Sequence, residues 1–575
     1  MQCSGSTERS SRERDRLPNG VPLAIPEKNM GKRLALTNLL AAVLVPSVVA
    51  SAELAPIQTV GINHNRAIVV NEKPFFPIMI WLQDPKNFAS AQLAGINTIA
   101  GYWRGSGGTK DVADYLGLVE KAGFYGVMPF DGRLKASPAL LAYIHGDEPD
   151  LPNLKSTTEI VPSKQLKINK NTPLWKIFDG VTHSWSVLDP LQGADFALRL
   201  NEPVEVESLA IWLTISKGLA AAKEISFIAD GKEIARVTLE NKKGRQKIDL
   251  KRPVRIRELS FRVHSVYPAD NVWGSVSEIE GFDKDGKNVL LSPPQQIPRK
   301  WPAEVQKQYR DIKAADPSRP VFMTVTGYFL PFFKKWSEDE RQNLYPDYVK
   351  ATDVIGYDIY PIYGWNKPEW LHLVHDGTEA LCGLAGGKPV YAWIETSRGG
   401  QYTGELERQI AVIPVHIRAE VWMAICRGAT VIGYFTHVWK PAYRQFGVPP
   451  ENVKAMKDIN DQITRLAPAI LSDPAKVDVG ITLENQLRAD IMAKEYDGDI
   501  YLFAVNYDSR QQGGRATIEV AGLRAGTRIE VVDEARTITA TRGSFTDDFG
   551  PLGVHIYKIS TVLDGKRIID TDLSE

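Results

Sequence analysis

Two glutamates that each follow an apolar, strand-like run are the residues of this sequence with the clearest chemical potential. Glu148 comes directly after Asp147 and the apolar run 140–146, and Glu395 ends the apolar run 389–395. A carboxylic acid can protonate a departing oxygen while a carboxylate on the other side attacks carbon or activates water. The pair therefore predicts an acid and a nucleophile that face each other across one pocket.

Eight apolar runs of strand length, separated in most cases by segments with helical spacing, would position these glutamates. Such alternation is typical of a parallel sheet covered by helices, and eight strands close a (β/α)8 barrel, so the predicted fold class is α/β, a TIM barrel. On this count Glu148 follows strand four and Glu395 ends strand seven, at the face where barrels carry their chemistry. The predicted strands are residues 78–82, 95–103, 123–130, 140–146, 320–326, 353–360, 389–395 and 430–437.

Two further regions have the shorter alternation of antiparallel sheets. One follows strand four, where runs such as Phe196–Leu200 and Leu259–Val263 predict an inserted β-sandwich, and the other follows a helix over 453–466 and a linker at Ala467-Pro468. The predicted domains are two barrel halves (53–150 and 295–466), the inserted sandwich (151–294) and a C-terminal β-sandwich (467–575).

The N-terminal region predicts export. Residues 30–52 have the features of a signal peptide, because Lys32 and Arg33 precede an apolar run that ends in Ala50-Ser51-Ala52. Residues 1–29 are predicted to be a disordered extension or a misassigned start. We therefore expect a secreted or periplasmic protein with no membrane span after signal removal.

Composition argues against several other functions. Lys plus Arg and Asp plus Glu both number 69, so the chain has no net charge that would attract nucleic acid or an anionic membrane. The sequence contains no HExxH motif, P-loop or dinucleotide fingerprint, and we expect no cofactor. The expected partner is a glycan substrate, and the oligomeric state stays open.

The barrel pattern resembles the clan A glycoside hydrolases. Asp147-Glu148-Pro149 is similar to the Asn-Glu-Pro of that clan, Glu395 stands at its nucleophile position, and Trp439 lies near the aromatic residue that often follows strand eight. The resemblance implies a retaining enzyme that cleaves a poly- or oligosaccharide by double displacement. Glu148 would be the acid/base and Glu395 the nucleophile.

The insert resembles the discoidin-like, galactose-binding-like modules that often accompany carbohydrate enzymes. The similar elements are Phe178-Asp179-Gly180, Thr182–Trp185 and Trp273–Ile279. This resemblance alone implies that the insert could hold a structural calcium ion.

Two alternatives stay open. Asp147 stands where the clan usually has asparagine, and an Asp-Glu pair also resembles the substrate-assisted hexosaminidases, in which the aspartate orients an acetamido group that acts as the nucleophile. That alternative leaves Glu395 without a role. The third candidate is a carbohydrate-binding protein that has lost catalysis, because a fold does not determine function.

Other side chains at or just past the strand ends are candidates for substrate binding. Tryptophans could stack on sugar rings, histidines could hold hydroxyl groups, and Arg398 could bind an anionic sugar. Core packing, backbone-bonded histidines and surface ion pairs are the competing explanations. The candidates are Trp81, Trp103, Asp131, His145, Asp147, Asp358, Tyr360, Trp393, Arg398, His437 and Trp439.

Overall fold

The computed structural model describes residues 54–104 and 111–560, with the backbone of 562–563 and 566–567. The predicted extension and signal peptide, residues 1–52, lie outside the described residues. Contacts divide the chain into two compact units. The first comprises the described residues up to 147, residues 312–324 and those from 353 onward, and the second comprises residues 148–311 and 325–352.

A closed barrel of eight parallel strands is the centre of the first unit. Each strand lies within one of the eight apolar runs, so this part of the sequence prediction is confirmed. The strands, numbered β1 to β8 along the barrel, are Ile78–Trp81, Thr98–Ala100, Tyr125–Pro129, Leu140–Ile144, Val321–Thr326, Val354–Asp358, Val390–Glu395 and Val431–Phe435.

Helices follow most of the barrel strands along the chain. In the described residues, only the short 3-10 turn Gly132–Leu134 lies between β3 and β4, where an ideal barrel would have a helix. The helices are α1 Phe88–Leu93, α2 Val112–Lys121, α3 Pro302–Ala315, α4 Glu338–Val349, α5 His372–Leu384, α6 Pro414–Cys426 and α7 Pro450–Ile470. No helix in these ranges is both long and apolar enough to cross a membrane.

The linker predicted at Ala467-Pro468 is wrong, because both residues lie inside α7. The buried residues Ile459, Ile463, Leu466 and Ile470 continue one helical face past the predicted end. Burial of this face outweighs the hydrogen bond that Pro468 cannot donate in the last turn.

Large side chains fill the interior of the barrel. A side chain at Gly356 would lie 2.2 Å from the ring of Tyr391, and one at Gly433 would lie 2.3 Å from the ring of Trp393. Glycine at these strand positions therefore leaves the space that the two rings occupy.

Antiparallel strands lie on both sides of the barrel sequence in the first unit. Before β1, Val60–Ile62, Ile68–Val70 and Lys73–Phe75 form a small sheet whose two-residue turn has positive φ at Asn71 and Glu72. After α7, a six-stranded and a three-stranded sheet enclose a common apolar core. Their strands are Asp473–Pro474, Val479–Leu483, Ala489–Tyr496, Asp499–Asn506, Gly514–Val520, Arg528–Val531, Arg536–Thr539, Ser544–Phe549 and Val554–Ser560.

The second unit contains an eight-stranded, largely antiparallel sheet. Register shifts in the long strand Asp195–Leu213, at Arg199/Val204 and Val206/Ser208, bend the sheet around a core that includes Phe196, Phe227 and Phe261. The discoidin-like identity of this region stays a prediction. The strands of this sheet are Glu159–Pro162, Lys167–Ile168, Ser186–Asp189, Asp195–Leu213, Ala221–Ala229, Lys232–Thr238, Gly244–Tyr267 and Gly274–Phe282, and Pro152–Lys155 pairs separately with Gln295–Pro298.

Candidate active site

Glu395 is the last residue of β7, and its side chain is completely buried. The backbone N–H of Ile362 donates to both carboxyl oxygens, at 2.9 and 3.1 Å, and the N–H of Tyr363 donates to Oε2 at 2.6 Å. Burial raises the pKa of Glu395 to about 7, although these hydrogen bonds act in the opposite direction. Glu395 therefore fixes the backbone of the connection that follows β6.

A second buried carboxyl group, Glu420 of α6, contacts Glu395. Both carboxyl oxygens of Glu420 are buried and have no hydrogen-bond partner among the described residues. Burial and the charge of Glu395 raise the pKa of Glu420 well above its usual value. Sequence reasoning missed this residue, although a lone acid in the apolar run Ala419–Cys426 was a signal.

Aromatic side chains from several strand ends form a continuous cluster, which we call the β8 aromatic cluster. Phe435, at the end of β8, lies 5.0 Å from the ring of Tyr360, 5.5 Å from Tyr363 and 6.1 Å from Trp439. Tyr443 extends the cluster, because its ring lies 5.4 Å from Trp439 and 6.2 Å from Trp103. The cluster comprises Trp103, Tyr360, Tyr363, Phe435, His437, Trp439 and Tyr443.

His437 connects two parts of this cluster. Its Nε2 lies 3.0 Å from the backbone oxygen of Trp81, and its Nδ1 lies 3.2 Å from the hydroxyl of Tyr443. Because a carbonyl only accepts, Nε2 carries the hydrogen and Nδ1 accepts from Tyr443. Burial lowers the pKa of His437 to about 4, which keeps the ring neutral. Both ring nitrogens are thus engaged within the protein, so His437 orients Tyr443 and has no free nitrogen for a sugar hydroxyl.

Among the buried polar atoms of the described residues that have no hydrogen-bonding partner, three follow barrel strands, and two of these belong to the β8 aromatic cluster. They are Nε1 of Trp103, Oη of Tyr363 and Oγ of Ser397. Each follows a different barrel strand: Trp103 comes after β2, Tyr363 after β6 and Ser397 after β7. An unpaired buried polar group costs about 1–3 kcal/mol, which a ligand that supplies hydrogen bonds would recover.

The loop after β7 is held by Gln409. Its Oε1 accepts from the N–H groups of Gly399 and Gly400, and its amide donates to the oxygens of Gly400 and Gly404. The oxygen of Gly399 in turn accepts the N–H of Trp439 at 2.8 Å. These bonds connect the loop at Gly399 and Gly400 to Trp439.

Trp393 is a core residue, and its predicted place in an open sugar subsite is wrong. Only 3% of Trp393 is exposed, and its Nε1 donates to Oγ1 of Thr324 at 3.1 Å. Its ring packs edge-on against Trp81 at 5.4 Å and against Tyr391 at 5.8 Å. All of these contacts are with side chains at the barrel interior. Trp81, at the end of β1, is half-buried.

Asp147 and Asp358 are both half-buried. Burial is the main cause of the raised pKa of Tyr391, and the negative charges of these two aspartates raise that pKa further. His145 is buried, and its N–H donates to the oxygen of Phe322 at 2.9 Å. These three predicted residues therefore lie at or just past the ends of β4 and β6, as the sequence pattern indicates.

Asp131 has structural partners in its own loop, and its substrate role stays a prediction. Its carboxylate caps the turn Gly132–Leu134 and forms an ion pair with Arg133 at 2.5 Å, and this bond lowers the pKa of Asp131 to about 2. Arg398 is exposed, and no described residue forms an ion pair with it.

Glu148 belongs to the second unit, where it occupies a sharp turn. Its backbone has a φ of +46°, which a residue with a side chain rarely adopts, and its oxygen accepts the N–H of Leu151. The carboxylate is mostly buried and lies 3.4 Å from Nη2 of Arg299. Backbone strain of this kind is often found at functional residues.

Asp150 fixes this turn from two residues away. It is completely buried and accepts hydrogen bonds from the N–H and hydroxyl of Thr326, at 2.8 and 2.5 Å, and from the hydroxyl of Tyr345 at 2.8 Å. Burial raises the pKa of Asp150 to about 7. In the sequence Asp150 stands two residues after Glu148, but no sequence pattern indicates that Thr326 and Tyr345 are its hydrogen-bonding partners.

Within residues 54–104 and 111–560, no group of three or more His, Cys, Asp or Glu side chains is arranged to hold a metal ion. The expectation of a cofactor-free protein, with a calcium ion possible in the insert, stays a prediction.

No protein-family model matches the sequence, and no curated protein matches it significantly. Parts of the chain are similar to solved structures. An α-amylase from Geobacillus thermoleovorans, complexed with acarbose, is 13% identical over 45% of this chain and 57% of that chain, with a TM-score of 0.31. An Anoxybacillus α-amylase is 10% identical over 46% of this chain and 57% of that chain, with a TM-score of 0.32.

A second kind of similar structure is a carbohydrate-binding module. The family 32 module from C. perfringens NanJ, in complex with galactose, is 16% identical over 23% of this chain and 92% of that chain, with a TM-score of 0.17. With identities and TM-scores this low, the likenesses concern parts of the fold alone.

Proposed function

We propose that this protein is an exported glycoside hydrolase that cleaves a poly- or oligosaccharide at the carboxyl-terminal face of the barrel. The observation that carries the proposal is the β8 aromatic cluster with its unpaired polar atoms. Sugars present apolar C–H faces that stack on aromatic rings, and hydroxyl groups that can both donate and accept hydrogen bonds. Trp439 offers a half-buried ring, and Trp103, Tyr363 and Ser397 offer unpaired polar atoms.

The catalytic residues of this proposal are Glu148 and Glu395. In a double displacement, Glu395 attacks the anomeric carbon while Glu148 protonates the oxygen of the breaking glycosidic bond. Water then attacks the glycosyl-enzyme after giving a proton to Glu148, and Glu395 leaves as a carboxylate. The backbone N–H groups of Ile362 and Tyr363 favour the anionic form of Glu395 that this reaction needs.

A second candidate is the substrate-assisted reaction of a hexosaminidase, with Asp147 orienting an acetamido group and Glu148 as the acid. The observation that favours it is the complete burial of Glu395, both of whose oxygens are already bonded. The main objection to this candidate was that Glu395 would have no role. Its bonds to Ile362 and Tyr363 provide a structural role.

The test begins with a screen of aryl glycosides, including N-acetylhexosaminides, and of plant and algal polysaccharides, with product anomers followed by NMR. Retention of configuration supports both reactions, whereas inversion contradicts both. Binding of a glycan without hydrolysis in any assay would instead identify a non-catalytic carbohydrate-binding protein.

Covalent trapping separates the two reactions. A 2-deoxy-2-fluoro glycoside of the best substrate should label Glu395 in the double displacement, and peptide mass spectrometry locates the label. In the substrate-assisted reaction Glu395 stays unlabelled, a thiazoline analogue inhibits, and Asp147→Asn lowers kcat. The exposed residue Glu407, on the same connection as Ser397, provides the matched control variant Glu407→Gln.

A further inference from the structure

The insert is joined to the rest of the chain beside Glu148, the acid of the proposed reaction. The chain enters the insert through Pro152–Lys155 and leaves it through Gln295–Pro298, and these two strands pair antiparallel. We call this two-stranded connection, together with the residues that extend it to positions 149 and 300, the neck of the insert. The chain leaves the Glu148 turn along one strand of the neck and returns to that turn along the other.

Hydrogen bonds continue the neck up to the turn that holds the proposed acid. The backbone N–H of Arg299 donates to the oxygen of Leu151 at 2.9 Å, and the N–H of Lys300 donates to the oxygen of Pro149 at 2.9 Å. The oxygen of Lys300 in turn accepts the hydroxyl of the buried Tyr348, of α4, at 2.5 Å. These bonds restrain the backbone that carries the Arg299 side chain.

The side chain of Arg299 faces the carboxyl group of Glu148. Nη2 of Arg299 lies 3.4 Å from Oε2 of Glu148, and only 27% of the first side chain and 12% of the second are exposed. An ion pair that is largely shielded from water interacts more strongly than a pair on the open surface. Asp150, the neighbouring acid of this turn, is bonded instead to Thr326 and Tyr345. The guanidinium group of Arg299 therefore acts on Glu148.

An N–H group of Arg299 can hold Oε2 of Glu148 throughout the proposed reaction. That oxygen accepts a hydrogen bond both in the carboxylate and in the neutral acid, where it is the carbonyl oxygen. The distance exceeds the length of a strong charge-assisted bond, which is about 2.7–2.9 Å. Such a contact orients the carboxyl group, and it leaves the other oxygen, Oε1, to carry the proton.

We propose that Arg299 is a positioning residue that holds Oε2 of Glu148 and directs proton transfer through Oε1. In the first step the proton on Oε1 passes to the oxygen of the breaking glycosidic bond, and in the second step Oε1 receives a proton from the attacking water. This inference rests on the proposed function, and it applies equally to the substrate-assisted reaction, since Glu148 is the acid in both. The insert thus supplies, through its neck, a residue that acts on the proposed acid.

Substrates with different leaving groups separate a positioning role from a packing role. Arg299→Met keeps an unbranched side chain but removes the donor. We expect kcat/KM to fall about tenfold on natural linkages, as the loss of one hydrogen bond to a charged group predicts. On an aryl glycoside whose leaving group needs no proton, the fall should be less than about twofold, because a misaligned acid matters only where a proton is transferred. Equal falls on both substrates would show a packing role and overturn the proposal.

A double-mutant cycle tests whether Arg299 acts through Glu148. In the full-length Glu148→Gln protein, Arg299→Met should cause no further loss on natural linkages, because the group that Arg299 positions is already absent. A further loss of about tenfold, as independent sites would give, overturns the proposal. Arg299→Lys retains a cationic donor and should recover part of the activity. Arg252→Met, at an exposed arginine of the insert with which no described residue forms an ion pair, is the matched control.

Thermal unfolding checks that each variant folds. If Arg299→Met does not fold, Arg299→Gln repeats the measurement on both substrates. If neither uncharged variant folds while Arg299→Lys does, the cation is required for the fold and the positioning role is wrong. Absence of hydrolysis on every substrate would contradict the proposed function and this inference with it, whereas hydrolysis with independent losses at the two sites would contradict this inference alone.

Discussion

The two glutamates that the sequence presents alike have different surroundings. Glu395 ends a regular strand, is completely buried, and has both oxygens bonded to backbone N–H groups. Glu148 occupies a turn with positive φ and faces Arg299. The first is fixed through its carboxyl group, and the second is fixed through its backbone.

This difference shows that an apolar run followed by an acid specifies a position and not an environment. At Glu395 the surroundings favour a stationary anion, as a nucleophile or a structural anchor requires. At Glu148 the restraint lies in the turn with positive φ, next to which Asp150 is bonded to Thr326 and Tyr345. We therefore expect substitutions at the two sites to fail in different ways.

The largest effect is expected for Glu395→Gln. If Glu395 is the nucleophile, kcat should fall by more than about a thousandfold, because no carboxylate is left to form the covalent intermediate. Steady-state kinetics on the best aryl glycoside measures this change, with Glu407→Gln as the control. Full activity of the variant would exclude the double displacement and leave Glu395 as an anchor.

The next effect is expected for Glu148→Gln. Loss of a general acid should lower kcat on natural linkages by about a hundredfold to ten-thousandfold. Aryl glycosides with good leaving groups need less protonation and should lose less. The measurement is the ratio of the decrease in kcat on natural linkages to the decrease in kcat on aryl glycosides. Equal decreases on both substrate types would contradict the role of Glu148 as the general acid.

A moderate effect on stability is expected for Asp150→Ala. It leaves the buried donors of Thr326 and Tyr345 unpaired, and we expect a loss of about 2–4 kcal/mol in the free energy of unfolding. Denaturant unfolding measures this loss, with Asp270→Asn as an exposed control.

Asp150 also predicts a pH dependence. Its pKa is about 7 in the folded state and 3.8 in the unfolded reference, so the folded state binds more protons between these values. Its contribution to stability is therefore present at low pH and declines as pH rises through 7. The variant Asp150→Asn, which cannot ionise, should lack this decline in thermal unfolding followed against pH.

The smallest effect is expected for Trp439→Ala, which removes one ring of the β8 aromatic cluster. Loss of a stacked ring costs about 0.5–1.5 kcal/mol beyond area burial, so KM should rise by up to about tenfold with little change in kcat. Tyr496→Ala, an exposed aromatic on the C-terminal sheet, is the control. An unchanged KM would remove Trp439 from the proposed binding surface.

The sequence predicted the barrel well because its strands are buried on both faces and therefore appear as continuous apolar runs. It placed Glu395, Tyr360 and Trp439 at strand ends for the same reason. It was wrong about Trp393, since strand periodicity does not distinguish the closed interior from the open face. Asp131 was equally ambiguous, because a loop acid gives no indication of its ion-pair partner.

No pattern in the sequence indicates that Glu420 lies close to Glu395. The helix α6 is apolar nearly all round, so periodicity does not reveal which neighbour a given residue contacts. Tyr363 and Tyr443 were missed because they belong to connections between elements, where no periodic pattern exists. Partners of this kind depend on tertiary packing between distant parts of the chain.

The outer flank of α6 gives the last two sheets an unexpected importance. Trp422 stacks on Phe503 of strand Asp499–Asn506 at 5.6 Å, and Sγ of Cys426 donates to the oxygen of Phe503. The C-terminal sheets thus exclude water from the helix that carries Glu420. A chain shortened to end after α7 would expose this helix to water. The chemistry inside the barrel would therefore depend on a region that does not contact the substrate.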